Sequence, residues 1–266
     1  MELEIIGYLS AILVGLSLGL IGGGGSILTV PILVYLLGVE AAETAPAYSL
    51  FIVGTASLIG AYMKYKDGFV DIKTAIIFGI PAIASVYVTR RFLVPAIPDE
   101  ILTMDHFILS KRIFIMGLFA VLMILAAVSM IKGRKEVEQM QAQKFNYPLI
   151  LVEGVLVGIL TGLVGAGGGF IIIPALVMLS QLPMKKAVGT SLVIIAAKSL
   201  FGFLGDLSVI EIDWRLLLMF AALAVSGIFI GNKLSHKIDG AKLKKSFGWF
   251  VLVMGAYIFI KELFLN

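Results

Sequence analysis

Long apolar segments alternate with short polar ones along the whole chain. A helix needs about 20 mainly apolar residues to span a bilayer, and most of these segments approach or reach that length. The segments lie at residues 5–21, 26–39, 44–63, 72–90, 110–131, 148–164, 169–182, 187–205, 213–231 and 246–264. The pattern predicts an all-α fold, a polytopic transmembrane helical bundle.

One polar stretch divides the chain into two similar halves. KGRKEVEQMQAQKFNY, Lys132 to Tyr147, has too few apolar residues to be buried and is interpreted as a solvated loop. The order of apolar segments before this stretch recurs after it. We therefore predict a first transmembrane repeat over residues 1–131, a polar linker loop over 132–147 and a second transmembrane repeat over 148–266.

A glycine-rich break occurs early in each half. GLIGGGGSILTVP (Gly19 to Pro31) and GLVGAGGGFIIIP (Gly162 to Pro174) align without a gap at an offset of 143 residues. Further matches, at an offset of 142, join APAYSL (from Ala45) to AVGTSL (from Ala187) and DIK (from Asp71) to DWR (from Asp213). Internal repeats of this size are typical of transporters. Each repeat is predicted to be a glycine-broken helix pair followed by three transmembrane helices.

The segments that follow the glycine breaks, 26–39 and 169–182, are too short to span easily. Fourteen helical residues reach only about 21 Å, against a hydrocarbon core of roughly 30 Å. Each could return to its starting side as a hairpin, or form one long broken helix with the preceding segment. The hairpin arrangement places 14 loop Lys and Arg residues on one side and 6 on the other. The positive-inside rule favours it, with both termini outside and the two halves inverted.

One loop outside the apolar segments is interpreted as structured. PAIPDEILTMDHFIL, Pro95 to Leu109, combines apolar and charged residues on the outer side in this topology. We interpret it as a short helix lying at the lipid surface.

Composition supports a cell-membrane protein and narrows its chemistry. Hydrophobic residues make up 60% of the 266 residues and charged residues 14%, where a soluble domain carries about 25% charged residues. Mean hydropathy is +1.06. The chain has no cysteine and two histidines, which argues against thiol chemistry and a metal centre. We find no catalytic triad or paired catalytic acids, and so expect neither an enzyme nor a cofactor. The net charge of +4 is attributed to cytoplasmic loops, not to nucleic-acid binding.

The glycine breaks are the first candidate binding site. Irregular backbone at membrane depth is tolerated only when it is buried in protein or lines a wet cavity. A helix that restarts after each break would point its N–H groups at the gap and attract anions. The alternative is that small residues only let helices pack closely. The candidate residues are Gly22, Gly23, Gly24, Gly25 and Ser26 in the first break, and Gly165, Gly167, Gly168 and Gly169 in the second.

Hydroxyl groups near the starts of the next helices could add to this site. Tyr48 and Ser49 lie in APAYSL, and Thr190 and Ser191 lie in AVGTSL. They could donate to an oxyanion without adding a full charge. Capping of helix starts or interhelical hydrogen bonding is an equally good interpretation.

Lys198 lies well inside an apolar segment, where a charge is costly and suggests function. It could neutralise a bound anion. It could instead form an ion pair with Glu153, the acid placed well inside an apolar run of the second half, in a structural or proton-coupling role. A third alternative is that it extends to the lipid surface.

At the two glycine breaks the sequence resembles the sulfite exporter TauE/SafE family. The similarity is carried by GLSLGLIGGGGSILTVPIL (Gly15 to Leu33), GILTGLVGAGGGFIIIPAL (Gly158 to Leu176) and the AVGTSL stretch, and it covers nearly the whole chain. In the first half APAYSL replaces the usual G-T-S-L form. The resemblance implies a membrane transporter of small sulfur-containing anions, whose glycine-rich and TSL segments line the pathway.

These observations lead to one functional hypothesis with two alternatives. We expect a transporter of small anions, sulfite or organosulfonates, that works by alternating access of two inverted repeats. Its partners would be the anionic substrate and the lipid bilayer, with no nucleic acid, and a homodimer is left open. The alternatives are an anion channel with a static glycine-backbone filter, and a membrane assembly or sensor subunit without transport.

Overall fold

Helices form most of the described part of the chain in a computed structural model. The structure describes residues 2–23, 25–104, 107–132, 147–178, 182–235 and 240–264. The helices are α1 (Glu2–Ile21), α2 (Gly25–Tyr35), α3 (Thr44–Lys66), α4 (Ile72–Val88), α5 (Val94–Ala96), α6 (Lys111–Lys132), α7 (Tyr147–Val164), α8 (Gly169–Met178), α9 (Met184–Asp206), α10 (Trp214–Ser235) and α11 (Gly240–Phe264). A π-helical turn, Thr89–Leu93, joins α4 to α5.

The predicted helical bundle is confirmed. Each predicted apolar segment coincides with a helix, and α5 only prolongs α4. Among the described residues six helices are long and apolar enough to cross a membrane, namely Thr44–Lys66, Ile72–Ala96, Lys111–Lys132, Met184–Asp206, Trp214–Ser235 and Lys245–Phe264. The division into two repeats and a linker stays a prediction, and residues 133–146 of that linker lie outside the described residues.

The predicted surface helix between Pro95 and Leu109 is wrong. The chain forms two antiparallel strands there, β1 (Glu100–Met104) and β2 (Phe107–Ser110). The helix ends at Ala96 because Ile97, which precedes Pro98, has extended backbone with φ −73° and ψ 120°. Proline disfavours the α conformation in the residue before it, so the chain leaves α5 already extended.

Helices of one half pack mainly on helices of the other. By sequence order α1, α2, α3, α4 and α6 correspond to α7, α8, α9, α10 and α11. The first helix of each half packs on the fourth of the other half, α1 on α10 and α7 on α4. The third helices, α3 and α9, pack together, as do α6 and α11. If each helix is replaced by its counterpart in the other half, the same pairs of packed helices result.

Corresponding helices of the two halves run in opposite directions. Gly54 of α3 faces Leu200 of α9, whereas Gly60, further along α3, faces Leu192, which is earlier in α9. The α6–α11 pair behaves in the same way, since Gly248 lies beside Met130 and Gly255 beside Met123. α3 and α9 are also the most buried of the six spanning helices. They form the centre of the bundle and carry most of the candidate polar residues.

The first glycine-broken pair is a hairpin. A Cβ at Gly25, the first residue of α2, would lie 2.2 Å from the carbonyl oxygen of Val14 in α1. Beyond the other end of α2, Leu37 contacts Gly7 near the start of α1, with 2.6 Å from its Cδ2 to a Cβ built on that glycine. α2 therefore folds back along α1. For this pair the alternative of one long broken helix is excluded.

Candidate functional site

The two glycine breaks touch each other through their backbones. A Cβ built on Gly23 would lie 2.4 Å from the carbonyl carbon of Gly169 and 2.8 Å from its Cα. Nearby, a Cβ on Gly167 would lie 3.0 Å from the Cβ of Ser26. Only residues without a side chain allow the Gly23–Gly169 approach. The structure thus brings the two predicted breaks together, while Gly24 lies outside the described residues.

The backbone turns sharply at both breaks, and a helix restarts after each. The glycines with positive φ there are Gly22 at 81°, Gly165 at 71°, Gly167 at 61° and Gly168 at 72°. α2 begins at Gly25 and α8 at Gly169, so both helix N-termini lie at the contact between the breaks. Free N–H groups and the helix dipole give such ends a partial positive charge.

Lys198 lies beside the second break. Its side chain is fully buried, and its Nζ donates a hydrogen bond to the Thr161 Oγ1 at 2.6 Å. The Thr161 hydroxyl in turn donates to the carbonyl oxygen of Val157 at 2.7 Å. A Cβ on Gly168 would lie 2.9 Å from the Lys198 Nζ and 2.2 Å from the Thr161 Cγ2, so a side chain at residue 168 would crowd this hydrogen-bonded pair. The interpretation that Lys198 extends to the lipid surface is wrong.

The ion pair between Lys198 and Glu153 is not formed. Thr161, the partner of Lys198, lies eight residues beyond Glu153 on α7, about 12 Å along the helix axis. Within the described part of the chain, no carboxylate oxygen lies within 4.0 Å of the Lys198 Nζ. Glu153 keeps a buried Oε2 without a hydrogen-bond partner. The buried ammonium is therefore held by a neutral hydroxyl.

Tyr48 and Thr190 bind helix starts of the opposite half. The Tyr48 hydroxyl accepts a hydrogen bond from the backbone N–H of Asp213 at 2.5 Å. The Thr190 Oγ1 accepts one from the backbone N–H of Asp71 at 2.9 Å. Since Tyr48 and Thr190 are equivalent in the repeat, as are the two aspartates, each half makes the same contact to the other. Tyr48 and Thr190 therefore make interhelical hydrogen bonds, which was the alternative to anion binding for these hydroxyls.

The three candidate serines differ in how their hydroxyls are used. Ser26 donates to the carbonyl oxygen of Gly23 at 2.7 Å, and Ser191 donates to the carbonyl oxygen of Val188 at 2.8 Å. Ser49 is fully buried and its Oγ has no hydrogen-bond partner. Ser26 lies directly at the contact between the breaks.

The charged part of the site belongs to the second half alone. At the repeat offsets, Lys198 corresponds to Ala56 and Thr161 to Leu18, and both apolar residues are fully buried. The first half therefore contributes backbone and small side chains, whereas the second half contributes the ammonium and the hydroxyl. Sequence analysis missed Thr161, although a single hydroxyl within an apolar run was a visible signal.

Sequence analysis also missed a buried ion pair between Arg90 and Asp206. The Arg90 Nη2 lies 2.7 Å from the Asp206 Oδ1, and neither side chain is more than 2% exposed. Arg90 also donates to the carbonyl oxygen of Glu43 at 2.9 Å and to that of Gly162 at 3.4 Å. Both charged residues lie at ends of apolar segments, where sequence alone suggests loop residues facing water.

A small apolar cavity reaches the first break. Its volume is about 20 Å³, which is little more than the space of one water molecule. It is lined by Ile21, Gly23, Ser129, Met130, Phe170, Ile173, Pro174 and Met184. A multi-atom anion would need the elements around it to separate.

Known proteins are similar to this chain in sequence. A family model described as sulfite exporter TauE/SafE matches residues 8–258. A probable membrane transporter protein of Xylella fastidiosa (strain 9a5c) is 28% identical over 254 residues, covering 92% of this chain and 91% of that protein. The probable membrane transporter protein YdhB of Bacillus subtilis (strain 168) is 26% identical over 235 residues, covering 88% and 91%. No solved structure matches the chain significantly.

The family match and the helical bundle agree. The match extends over nearly the whole chain, and the similar proteins carry the name of membrane transporters. The chain is thus a multi-pass integral membrane transporter and not an enzyme. It belongs to the TauE/SafE sulfite exporter family.

Proposed function

We propose that this transporter carries small oxyanions of sulfur, sulfite or organosulfonates, and binds them between the two glycine breaks beside Lys198. The observation that carries the proposal is the full burial of Lys198 against the neutral Thr161 hydroxyl. A buried ammonium without a counter-ion costs several kcal/mol. A bound anion would supply the missing negative charge.

The groups around Lys198 suit an oxyanion. An ammonium has three donors, of which one is directed at Thr161. The N-termini of α2 and α8, at Gly25 and Gly169, add backbone N–H groups and positive dipole ends. An ammonium and two helix N-termini together offer enough donors for the several acceptor oxygens of sulfite or a sulfonate group.

We further propose that the two halves are inverted repeats in the membrane. The opposite directions of α3 and α9, and of α6 and α11, support this arrangement. The distribution of Lys and Arg among the loops supports placing both termini outside. The glycine-broken pairs would then enter from opposite sides, as in many secondary transporters.

Alternating access is favoured over a static channel by the backbone contact between Gly23 and Gly169. Two backbones in van der Waals contact leave no room for an anion between them. The substrate would therefore bind only when the breaks move apart. A channel would give flux that fails to saturate with substrate and shows no counterflow.

Transport in proteoliposomes tests the proposal. We expect saturable uptake of sulfite or sulfoacetate, with counterflow when the liposomes are preloaded with the same anion. Lys198→Met should weaken binding by at least about 2 kcal/mol, roughly thirty-fold. Lys66→Met is the matched control, since Lys66 is an exposed lysine at the end of α3. Equal transport by both variants would contradict a substrate-binding role for Lys198.

Thermal unfolding of the purified protein separates substrate binding from a structural role. If Lys198 binds an anion and has no counter-ion without it, Lys198→Met should raise the Tm of the substrate-free protein, because an uncompensated buried charge is removed. The same variant should lose the stabilisation that sulfite or sulfonates give to the unmodified protein. Stabilisation by carboxylates alone would overturn the assignment to sulfur oxyanions.

A further inference from the structure

The ion pair of Arg90 and Asp206 lies apart from the proposed anion site. Arg90 is nevertheless hydrogen-bonded to the second glycine break and to the residue just before α3. The Arg90 Nε lies 2.8 Å from both carboxylate oxygens of Asp206. Its two terminal nitrogens reach backbone carbonyls, at Glu43 just before α3 and at Gly162 in the second glycine break. One guanidinium thereby ties the end of α4 to the end of α9, the start of α3 and the second break. We call this side of the molecule the Arg90 end.

The repeat places different residues at the equivalent point of the other end. At an offset of 142, Arg90 corresponds to Asn232 and Asp206 to Lys64. The Lys64 Nζ donates to the Ser235 Oγ at 3.4 Å, and the Asn232 Nδ2 donates to the Met63 Sδ at 3.6 Å. The Asn232 Oδ1 has no hydrogen-bond partner. In the part of the chain that the structure describes, Lys64 and Asn232 thus have long contacts to neutral acceptors and no ion pair. We call this side of the molecule the Lys64 end.

The two ends therefore differ in what must be broken to open them. Opening the Arg90 end separates two full charges that are buried in protein, and both must be rehydrated as the helices part. Removing one partner of such a pair strongly destabilises other proteins, because the remaining buried charge is left uncompensated. Among the described residues, the side chains in the equivalent positions, Lys64 and Asn232, lose only two weak hydrogen bonds to neutral acceptors when the Lys64 end opens.

We propose that Arg90 and Asp206 are the gate residues of the Arg90 end, and that their replacement by Asn232 and Lys64 leaves the Lys64 end free to open first. Inverted repeats exchange conformations when the pathway switches sides. With identical contacts at both ends the two states would be equally stable. The ion pair breaks that equality and stabilises the state that is closed at the Arg90 end. This inference rests on the proposed alternating access.

Single-cysteine accessibility tests the gate directly. The chain has no cysteine, so one introduced thiol is the only reporter. Ala45 and Ala187 are equivalent positions at the Arg90 end and the Lys64 end, and both are fully buried. A hydrophilic maleimide should label Ala187→Cys faster than Ala45→Cys in the purified protein, by on the order of tenfold.

Two double variants then test the ion pair, one by removing it and the other by introducing it at the Lys64 end. Arg90→Gln with Asp206→Asn removes both charges together, so that no buried charge is left unpaired, and should speed labelling of Ala45→Cys about tenfold. Lys64→Asp with Asn232→Arg recreates the ion pair at the other end and should slow labelling of Ala187→Cys. Monodispersity in size-exclusion chromatography and the Tm show whether each variant is folded.

Equal labelling of the two reporters in the otherwise unmodified protein would overturn the gate. So would an unchanged rate at Ala45→Cys in a folded variant without the ion pair. The measurement needs no substrate, so a wrong assignment of the transported anion does not affect it. Conversely, saturable sulfite transport together with equal labelling would overturn the gate alone.

Discussion

The Lys198 Nζ donates a 2.6 Å hydrogen bond to the Thr161 Oγ1, and both side chains are buried. Thr161 lies on α7, just before the second glycine break, and Lys198 lies in the middle of α9. The bond therefore joins the element that carries the break to the centre of the bundle. It fixes the direction of the ammonium, whose other donors would bind the anion in the proposed site.

Removing the Thr161 hydroxyl should weaken substrate binding without abolishing transport. Thr161→Val keeps the shape of the side chain but leaves Lys198 unpositioned. We expect a loss of about 1–2 kcal/mol in binding, measured as a higher KM for sulfite in proteoliposomes. Thr55→Val is the matched control, because the Thr55 hydroxyl bonds only carbonyls of its own helix. An equal rise in KM in both variants would mean that Thr161 has no special role.

A side chain at Gly23 should push the two breaks apart. In Gly23→Ala the new Cβ meets the backbone of Gly169, which cannot rotate away. We expect a loss of about 1–3 kcal/mol in stability, seen as a lower Tm, together with slower transport. Gly117→Ala on α6 is the control, because a Cβ there has no neighbour within 4 Å, and alanine favours the helix by about 1 kcal/mol. A Gly23→Ala protein as stable as Gly117→Ala would contradict the contact.

Tyr48→Phe should affect stability and not substrate affinity. The Tyr48 hydroxyl accepts from the backbone N–H of Asp213 at the start of α10. Its loss leaves that N–H without its partner and should cost about 1–2 kcal/mol of unfolding free energy. Tyr65→Phe, at an exposed position of the same helix, should have no effect. A raised KM in Tyr48→Phe with an unchanged Tm would instead place this hydroxyl in the anion site.

Glu40 should make stability depend on pH in the acid range. Burial raises the pKa of its carboxyl, but hydrogen bonds from the backbone N–H groups of Thr44, Glu43 and Ala42 outweigh this and lower the pKa below 4.5. A lowered folded pKa gives stability that is fully present above the unfolded pKa and is lost as pH falls through the folded value.

The Tm of the unmodified protein should therefore exceed that of Glu40→Gln at neutral pH, and the difference should shrink as pH falls below about 4.5. Because Glu40 is only partly buried and much of its surface is exposed to solvent, we expect less than about 1 kcal/mol. Glu211→Gln, at an exposed loop position, is the control. A difference between Glu40→Gln and the unmodified protein that does not change with pH would show that the carboxylate charge is irrelevant.

The sequence predicted the positions of the helices better than the contacts between them. Apolar segments can be delimited because bilayer thickness sets the length that each must have. The strands Glu100–Met104 and Phe107–Ser110 replace the predicted surface helix, because Pro98 disfavours the α conformation at Ile97 and the mixed polarity of the stretch fits either structure. The partners of Tyr48 and Thr190 lie 165 and 119 residues away, and no local pattern identifies contacts at that separation.

Sequence by itself determined the helical membrane architecture and the positions of the two matching glycine breaks, because each depends on local composition or on comparison of one stretch with another. Only the tertiary structure decided which polar groups meet. In the structure Gly23 contacts Gly169, and Lys198 donates its hydrogen bond to Thr161 and not to Glu153. Arg90 pairs with Asp206, which lies 116 residues away along the chain. The reason is physical: a buried polar group takes the partner that helix packing brings within about 3 Å. That packing is a property of the whole bundle and not of any one segment.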